Sequence, residues 1–166
     1  MTEEELAVYL HEKGVCRGNK ELMILGNGPT RGMGLMIAKG GGIDVWGVNE
    51  DYEESPVDLI FNIHGDHVIK GRFEDGRPGC VRYQDMTKPV IMQKEWDIYP
   101  TSVRFPIEFM VRHYKSTYTA NTIPYMIWLG WWMGYEVMHF YGVDYWNALR
   151  VESLHERPCT EYWMEV

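Results

Sequence analysis

An apolar run that stops at a glycine-rich turn constrains this chain more than any other feature: Leu22-Met23-Ile24-Leu25 gives way to Gly26-Asn27-Gly28-Pro29-Thr30. A short run without polar alternation fits a strand covered on both faces. Pro29 suits the first turn of a following helix, where its missing N–H forfeits no intrahelical bond. Met33 to Lys39 continues that helix to a Gly40-Gly41-Gly42 stop. Strand, tight turn and helix in that order deliver backbone N–H groups to a phosphate, so the unit points to a nucleotide or nucleotide-sugar site.

The rest of the chain repeats the alternation. Glu3 to Lys13 places Leu6 and Leu10 on one face of a helix, and Glu21 to Leu25 is the first strand. Ile43 to Val48, Leu59 to Ile63 and Pro89 to Gln93 read as further strands. Phe105 to Tyr114 and Thr122 to Met133 read as helices, and Glu136 to Tyr141 as a last strand before Gly142-Val143-Asp144-Tyr145. Lys70 to Thr87 is rich in glycine and charge and reads as a surface insertion or small hairpin. The expected fold is α/β: a Rossmann-like open, mainly parallel sheet flanked by helices, forming a single domain over residues 1–166.

Acidic residues outnumber basic ones 24 to 16, for a formal charge of −8, which disfavours bulk nucleic-acid binding. Cys16, Cys80 and Cys159 are odd in number and far apart, which suggests neither a disulfide framework nor a structural zinc site. A cytoplasmic location fits, since Met1 to Glu12 is acidic and carries no secretory pattern. The apolar stretch Ile123 to Met133 is shorter than the roughly 20 residues of a spanning helix, so no membrane span is expected.

Open parallel sheets bind ligands outside the carboxyl ends of their strands, where strand order reverses. Four such ends carry polar residues: Gly26 to Thr30, Asn49-Glu50-Asp51, His64-Gly65-Asp66-His67, and Gly142 to Tyr145. Asparagine amides at Asn27 and Asn49 can donate to phosphoryl oxygens without a buried charge, or can serve the turn backbone instead. The same turn can be read as a Gly26-x-Gly28-x-x-x-Gly32 variant of the dinucleotide fingerprint, with Glu50 as ribose carboxylate. Arg31 stands where that fingerprint needs its third glycine. Neither a GxxxxGK[ST] loop nor a GxSxG turn is present.

The Leu25-Gly26-Asn27-Gly28-Pro29-Thr30 loop, the Val45-Trp46-Gly47-Val48-Asn49 strand, the Tyr118-Thr119-Ala120-Asn121-Thr122 helix entry and the segment from Gly134 to Tyr145 resemble the bacterial sialyltransferase superfamily and its DUF115-type relatives. The resemblance covers about residues 20 to 146. It implies a glycosyltransferase whose donor substrate is a nucleotide sugar. Gly26, Asn27, Gly28, Pro29, Thr30 and Asn49 would then contact the nucleotide, Thr119 and Asn121 would line the site, and Asp144 and Tyr145 would close it. Two departures stand against the family pattern: Thr119-Ala120-Asn121 replaces its usual Thr-Ser-Gly, and only about twenty residues follow Tyr145 for an acceptor region.

Sugar transfer needs a base for the acceptor proton and stabilisation of the leaving phosphate. His155 and His64 are the candidate bases, with His67 an alternative. Tyr141, Tyr145, loop amides, Arg104 and Arg112 are candidates for the leaving group. The residues His64, Asp66, His67, His139 and Asp144 include zinc-ligating types, but spacing supplies no closed set; no metal or other cofactor is required. Trp128, Trp131, Trp132, Tyr135 and Phe140 read as helix-to-sheet core, any exposed members offering a homodimer face. Glu50 to Glu54 reads as a solvated charge run. Other readings of the same features are a non-catalytic nucleotide-binding module, an NAD(P)-binding protein, or a pyrophosphoryl transferase; the acceptor is not specified.

Overall fold

The computed structural model describes residues 1–49, 56–74, 83–84, 86–145 and 150–166. Glu50, the run that follows it to Glu54, Cys80, and residues 75–82 and 85 of the expected insertion lie outside the described residues.

The described strands are β1 (Glu21–Leu25), β2 (Asp44–Val48), β3 (Leu59–Asn62), β4 (Val90–Met92), β5 (Ser102–Arg104) and β6 (Val137–Tyr141). They form one sheet in the order β5-β4-β3-β2-β1-β6, and every neighbouring pair in it is parallel. The helices are α1 (Glu3–Glu12), α2 (Arg31–Ala38), α3 (Asp66–Glu74), α4 (Ile107–Tyr114), α5 (Thr122–Trp132) and α6 (Arg150–Glu165). This is the open Rossmann-like α/β architecture that the alternation predicts.

Side chains alternate across the sheet and so divide the core in two. Leu22, Ile24, Trp46, Val48, Leu59, Phe61, Ile91 and Val103 face α1, α4, α5 and α6. Met23, Leu25, Val45, Ile60, Val90 and Met92 face the other way, with Leu35 and Ala38 of α2 and Ile69 of α3. Burial on both faces explains why these strands read as continuous apolar runs. The division also follows from handedness. The crossover β1-α2-β2 steps one way across the sheet and β5-α4-α5-β6 steps back, so keeping both right-handed puts their helices on opposite faces.

Three elements depart from expectation. α3 begins at Asp66, inside the stretch assigned to a loop and insertion, and is held by Ile69, which is fully buried. β5 has three residues, too few for a periodic signal. α6 occupies what reads as a polar tail; Pro158 within it masks the helical pattern, while Cys159 and Trp163, one turn apart, bury themselves in the larger core. In the aromatic set, Trp128 and Tyr135 are buried and Trp131, Trp132 and Phe140 pack half-buried against them. Cys16 and Cys159 are free thiols. Among the described residues no helix is long and apolar enough to cross a membrane.

The amino rim of the sheet is closed by one carboxylate. Asp44, at the start of β2 and only 6% exposed, accepts from Tyr135 Oη at 2.6 Å, Asn19 Nδ2 at 2.7 Å, Gly18 N at 2.8 Å and Asn19 N at 3.0 Å. Burial opposes its charge, but these donors outweigh burial and hold the carboxyl below its usual range. Burial and Asp44 together push the Tyr135 phenol up, so it remains a donor. Asp44→Asn is expected to lower unfolding free energy near neutral pH by about 1.5 to 3 kcal/mol, the range for a hydrogen bond to a charged group. Because the folded-state value is depressed, the wild-type advantage is complete above the ordinary carboxylate range and is lost as pH falls from there through the lower folded-state value. Urea denaturation of both proteins across acid pH checks this; an advantage that grows on acidification would contradict it.

Candidate functional site

Strand order reverses between β1 and β6, the place where open parallel sheets bind ligands. There the glycine-rich turn closes on its own chain. Gly26 N donates to Tyr141 O at 2.8 Å and Gly28 N to Gly142 O at 2.7 Å. Thr30 N donates to Asp144 Oδ2 at 3.0 Å, and the Thr30 hydroxyl reaches both Asp144 oxygens at 2.9 Å while accepting from Gly142 N at 2.7 Å. Arg31 Nη1 returns to Gly26 O at 3.0 Å. A Cβ on Gly26 would lie 2.2 Å from Gly142 O, and one on Gly28 2.7 Å from Asp144 Oδ2, so the contact admits only glycine. The anion that meets the start of α2 is therefore the protein's own Asp144.

A cavity of about 520 Å³ opens beside this turn, over the tips of β2 and β3 and on the α5 side of the sheet. Its lining includes Asn49, His64, Thr119, Asn121, Tyr145 and Glu156. Asn49 follows β2 in the left-handed region at φ 57°, with its N–H bonded to Phe61 O at 2.8 Å. Its Oδ1 is buried and has no hydrogen-bond partner among the described residues. Tyr145 follows β6, also left-handed at φ 52°.

Asn121 joins the walls of the cavity. Its Oδ1 caps α5 by accepting from Ile123 N at 2.9 Å, and its Nδ2 donates to Tyr145 Oη at 2.6 Å. Tyr145 Oη also lies 2.6 Å from Thr160 Oγ1 of α6. Burial pushes the Tyr145 phenol up against the opposing effect of these bonds, so it stays neutral. The loop before Asn121 is pinned by the same helix: Ala120 N donates to Cys159 Sγ at 3.3 Å, Cys159 Sγ to Tyr118 O at 3.3 Å, and Trp163 Nε1 to Tyr118 O at 2.6 Å. Burial raises the Cys159 thiol, which keeps it a donor. Thr119 Oγ1 donates to Tyr125 Oη at 3.1 Å.

The structure thus gathers Asn49, His64, Thr119, Asn121 and Tyr145 around one cavity. Gly26, Gly28, Thr30 and Asp144 are engaged with one another in the turn, while Asn27 and Pro29 are exposed on it. His155 is exposed on α6 and is not among the residues lining this cavity, whereas its neighbour Glu156 is. Glu50 lies outside the described residues. Sequence reasoning missed Glu156, Thr122, Tyr125 and Ile63. The spacing of Glu156, Thr160 and Trp163 at i, i+4 and i+7 is the signal that could have found the α6 wall, had that tail been read as a helix. His139 pairs with Glu21 at 2.8 Å and Asp66 with Lys94, and among the described residues no group of three or more His, Cys, Asp or Glu gathers to hold a metal.

The fold and site define an open parallel α/β protein with a polar cavity at the carboxyl ends of its strands. Compared with family models, curated proteins and solved structures, the chain finds no match in any of the three. If Asn121 is the hinge between α5 and α6, Asn121→Ala removes the cap and the Tyr145 bond together. It is expected to cost about 1 to 2 kcal/mol in thermal or chemical unfolding. Unchanged stability would separate the cap from the cavity wall.

Proposed function

We propose that the cavity binds the nucleotide of an activated sugar and that the protein transfers that sugar to an acceptor hydroxyl. One observation carries this reading: Asn49, His64, Thr119, Asn121 and Tyr145 converge on a single polar cavity outside the carboxyl ends of a parallel sheet. Its volume is of the size that small-molecule sites have. Among the described residues the buried Oδ1 of Asn49 has no donor, a state that costs about 1 to 3 kcal/mol. A ribose hydroxyl or a base N–H would fill it. Glu156 adds a carboxylate on the same lining, the group that accepts from ribose hydroxyls in dinucleotide sites. The start of α5, with Thr119 and Thr122 beside it, offers the positive end of a helix to the phosphates.

The dinucleotide alternative fits less well. It needs a pyrophosphate over the start of α2, where Asp144 stands. In the transfer itself, the acceptor oxygen bonds to the anomeric carbon as the bond from that carbon to the phosphate oxygen breaks. The phosphate leaves with the bonding pair and the acceptor proton passes to a base. His64 takes the proton in this reading, as the histidine on the cavity; His155 has no part in it.

Titration with CMP, UDP, GDP and ADP, followed by assay of nucleotide released from the matching sugar donors, tests the reading. One base should bind saturably. Asn49→Gly keeps the left-handed backbone and should weaken that binding by about 1 to 3 kcal/mol. His64→Ala should lower turnover about 10²-fold while leaving nucleotide affinity near normal. Binding without turnover would leave a nucleotide-binding module; AMP release from ATP would point to pyrophosphoryl transfer; no binding by any nucleotide would reject the site.

A further inference from the structure

We infer that a second cavity on the same rim is the acceptor subsite and takes a saccharide carrying an acidic substituent, an assignment that rests on the transferase reading above. This cavity, of about 500 Å³, is lined by Tyr9, Glu95, Arg104, Pro106, Phe109 and Arg112 with Met1 and Glu108. Glu95 follows β4 and Arg104 ends β5, so it opens at the carboxyl rim of the sheet as the first cavity does. His64 of the first cavity follows β3, two strands from β5. With strands about 4.8 Å apart, the two tips lie about 10 Å from each other. An aromatic contact runs from one lining toward the other: Phe105 packs edge-on against Tyr125 with ring centroids 5.0 Å apart. Tyr125 lines the first cavity, and Phe105 leads directly into Pro106 of the second.

The chemistry of the second lining differs from that of the first. Tyr9, Pro106 and Phe109 offer apolar surface to the C–H face of a sugar ring. The carboxylates are already matched. Glu95 accepts from Lys13 Nζ and from Tyr9 Oη, each at 2.8 Å, and Glu108 pairs with Arg104. Among the described residues Arg112 has no such pairing, its guanidinium donating only to Met1 O at 3.3 Å. In a chain of net charge −8 this leaves one surplus cation on the lining, able to take a carboxylate or phosphate by two parallel N–H bonds. A planar guanidinium reads such a group where a hydroxyl would gain less.

The full chain is titrated with a glucuronate-terminated disaccharide and with its glucose-terminated counterpart, by calorimetry and saturation-transfer NMR, alongside the nucleotide titration. The acidic probe should bind about tenfold more tightly, the weight of one hydrogen bond between charged groups. Arg112→Ala should remove that advantage, leave the neutral probe unchanged and leave nucleotide affinity intact; Arg112→Lys should restore part of it. Arg112, a leaving-group candidate by sequence, lines this cavity and not the first, and it is exposed, so these variants keep the fold. Equal binding of the two disaccharides, no loss in Arg112→Ala, or no binding of either at millimolar concentration overturns the subsite. Nucleotide binding that persists in those cases leaves the donor reading standing, and its absence beside acidic-saccharide binding would remove the donor reading instead.

Discussion

The backbone contact between Gly26 and Gly142 is the constraint on which the arrangement rests. It joins the end of β1 to the end of β6, strands separated by more than a hundred residues of chain, and lets them run side by side to their last residue. A side chain at Gly26 would strike the Gly142 carbonyl at 2.2 Å, so the strands could not stay paired up to their tips. The pairing fixes the point where strand order reverses. Everything placed after β6 inherits its position from this contact, including Asp144, Tyr145 and the start of α6.

From that point a chain of hydrogen bonds carries position outward to the cavity. Tyr145, set in a left-handed backbone by the turn, meets Asn121 and Thr160 through one hydroxyl. Asn121 is also the cap of α5, so the helix start and the strand end move as one body. α6 completes the clamp by holding Tyr118 and Ala120 through Trp163 and Cys159. Such half-buried polar networks favour a single arrangement, because a bond left unmade inside them is costly. The two rims of the sheet divide the work: Asp44 locks the amino rim, and the carboxyl rim holds the polar cavities.

Legibility followed burial. β1, β2 and β3 were readable because strands covered on both faces must be apolar at each position, and Leu22 to Leu25 or Leu59 to Phe61 leave no other assignment. β5 was not, since Ser102-Val103-Arg104 buries one large apolar side chain and owes its strand to pairing with β4. α6 was hidden by Pro158, although Cys159 and Trp163 carry the spacing of a buried stripe. The site divides the same way. Asn49 and Asn121 follow from their places at a strand tip and a helix start. Glu156 does not, because its role on the cavity depends on how α6 packs, which no local pattern encodes.

The fate of the glycine-rich turn turns on magnitude. Read locally, Gly26 to Thr30 is an anion cradle, and the start of α2 favours a negative charge by about 0.3 to 1 kcal/mol at an exposed position. Asp144 already takes that benefit, bonded to the N–H and hydroxyl of Thr30. A phosphate brought to about 4 Å from it would meet a repulsion of about 1 kcal/mol in bulk water and about 4 kcal/mol at a protein surface. The repulsion equals or exceeds what the helix end offers. At the start of α5 the cap is the neutral Asn121, with Thr119 and Thr122 on the neighbouring cavity and Glu156 Oε2 3.5 Å from Asn121 Nδ2. The turn serves the cavity indirectly: its glycines bring β6 close enough for Tyr145 to build the cavity wall.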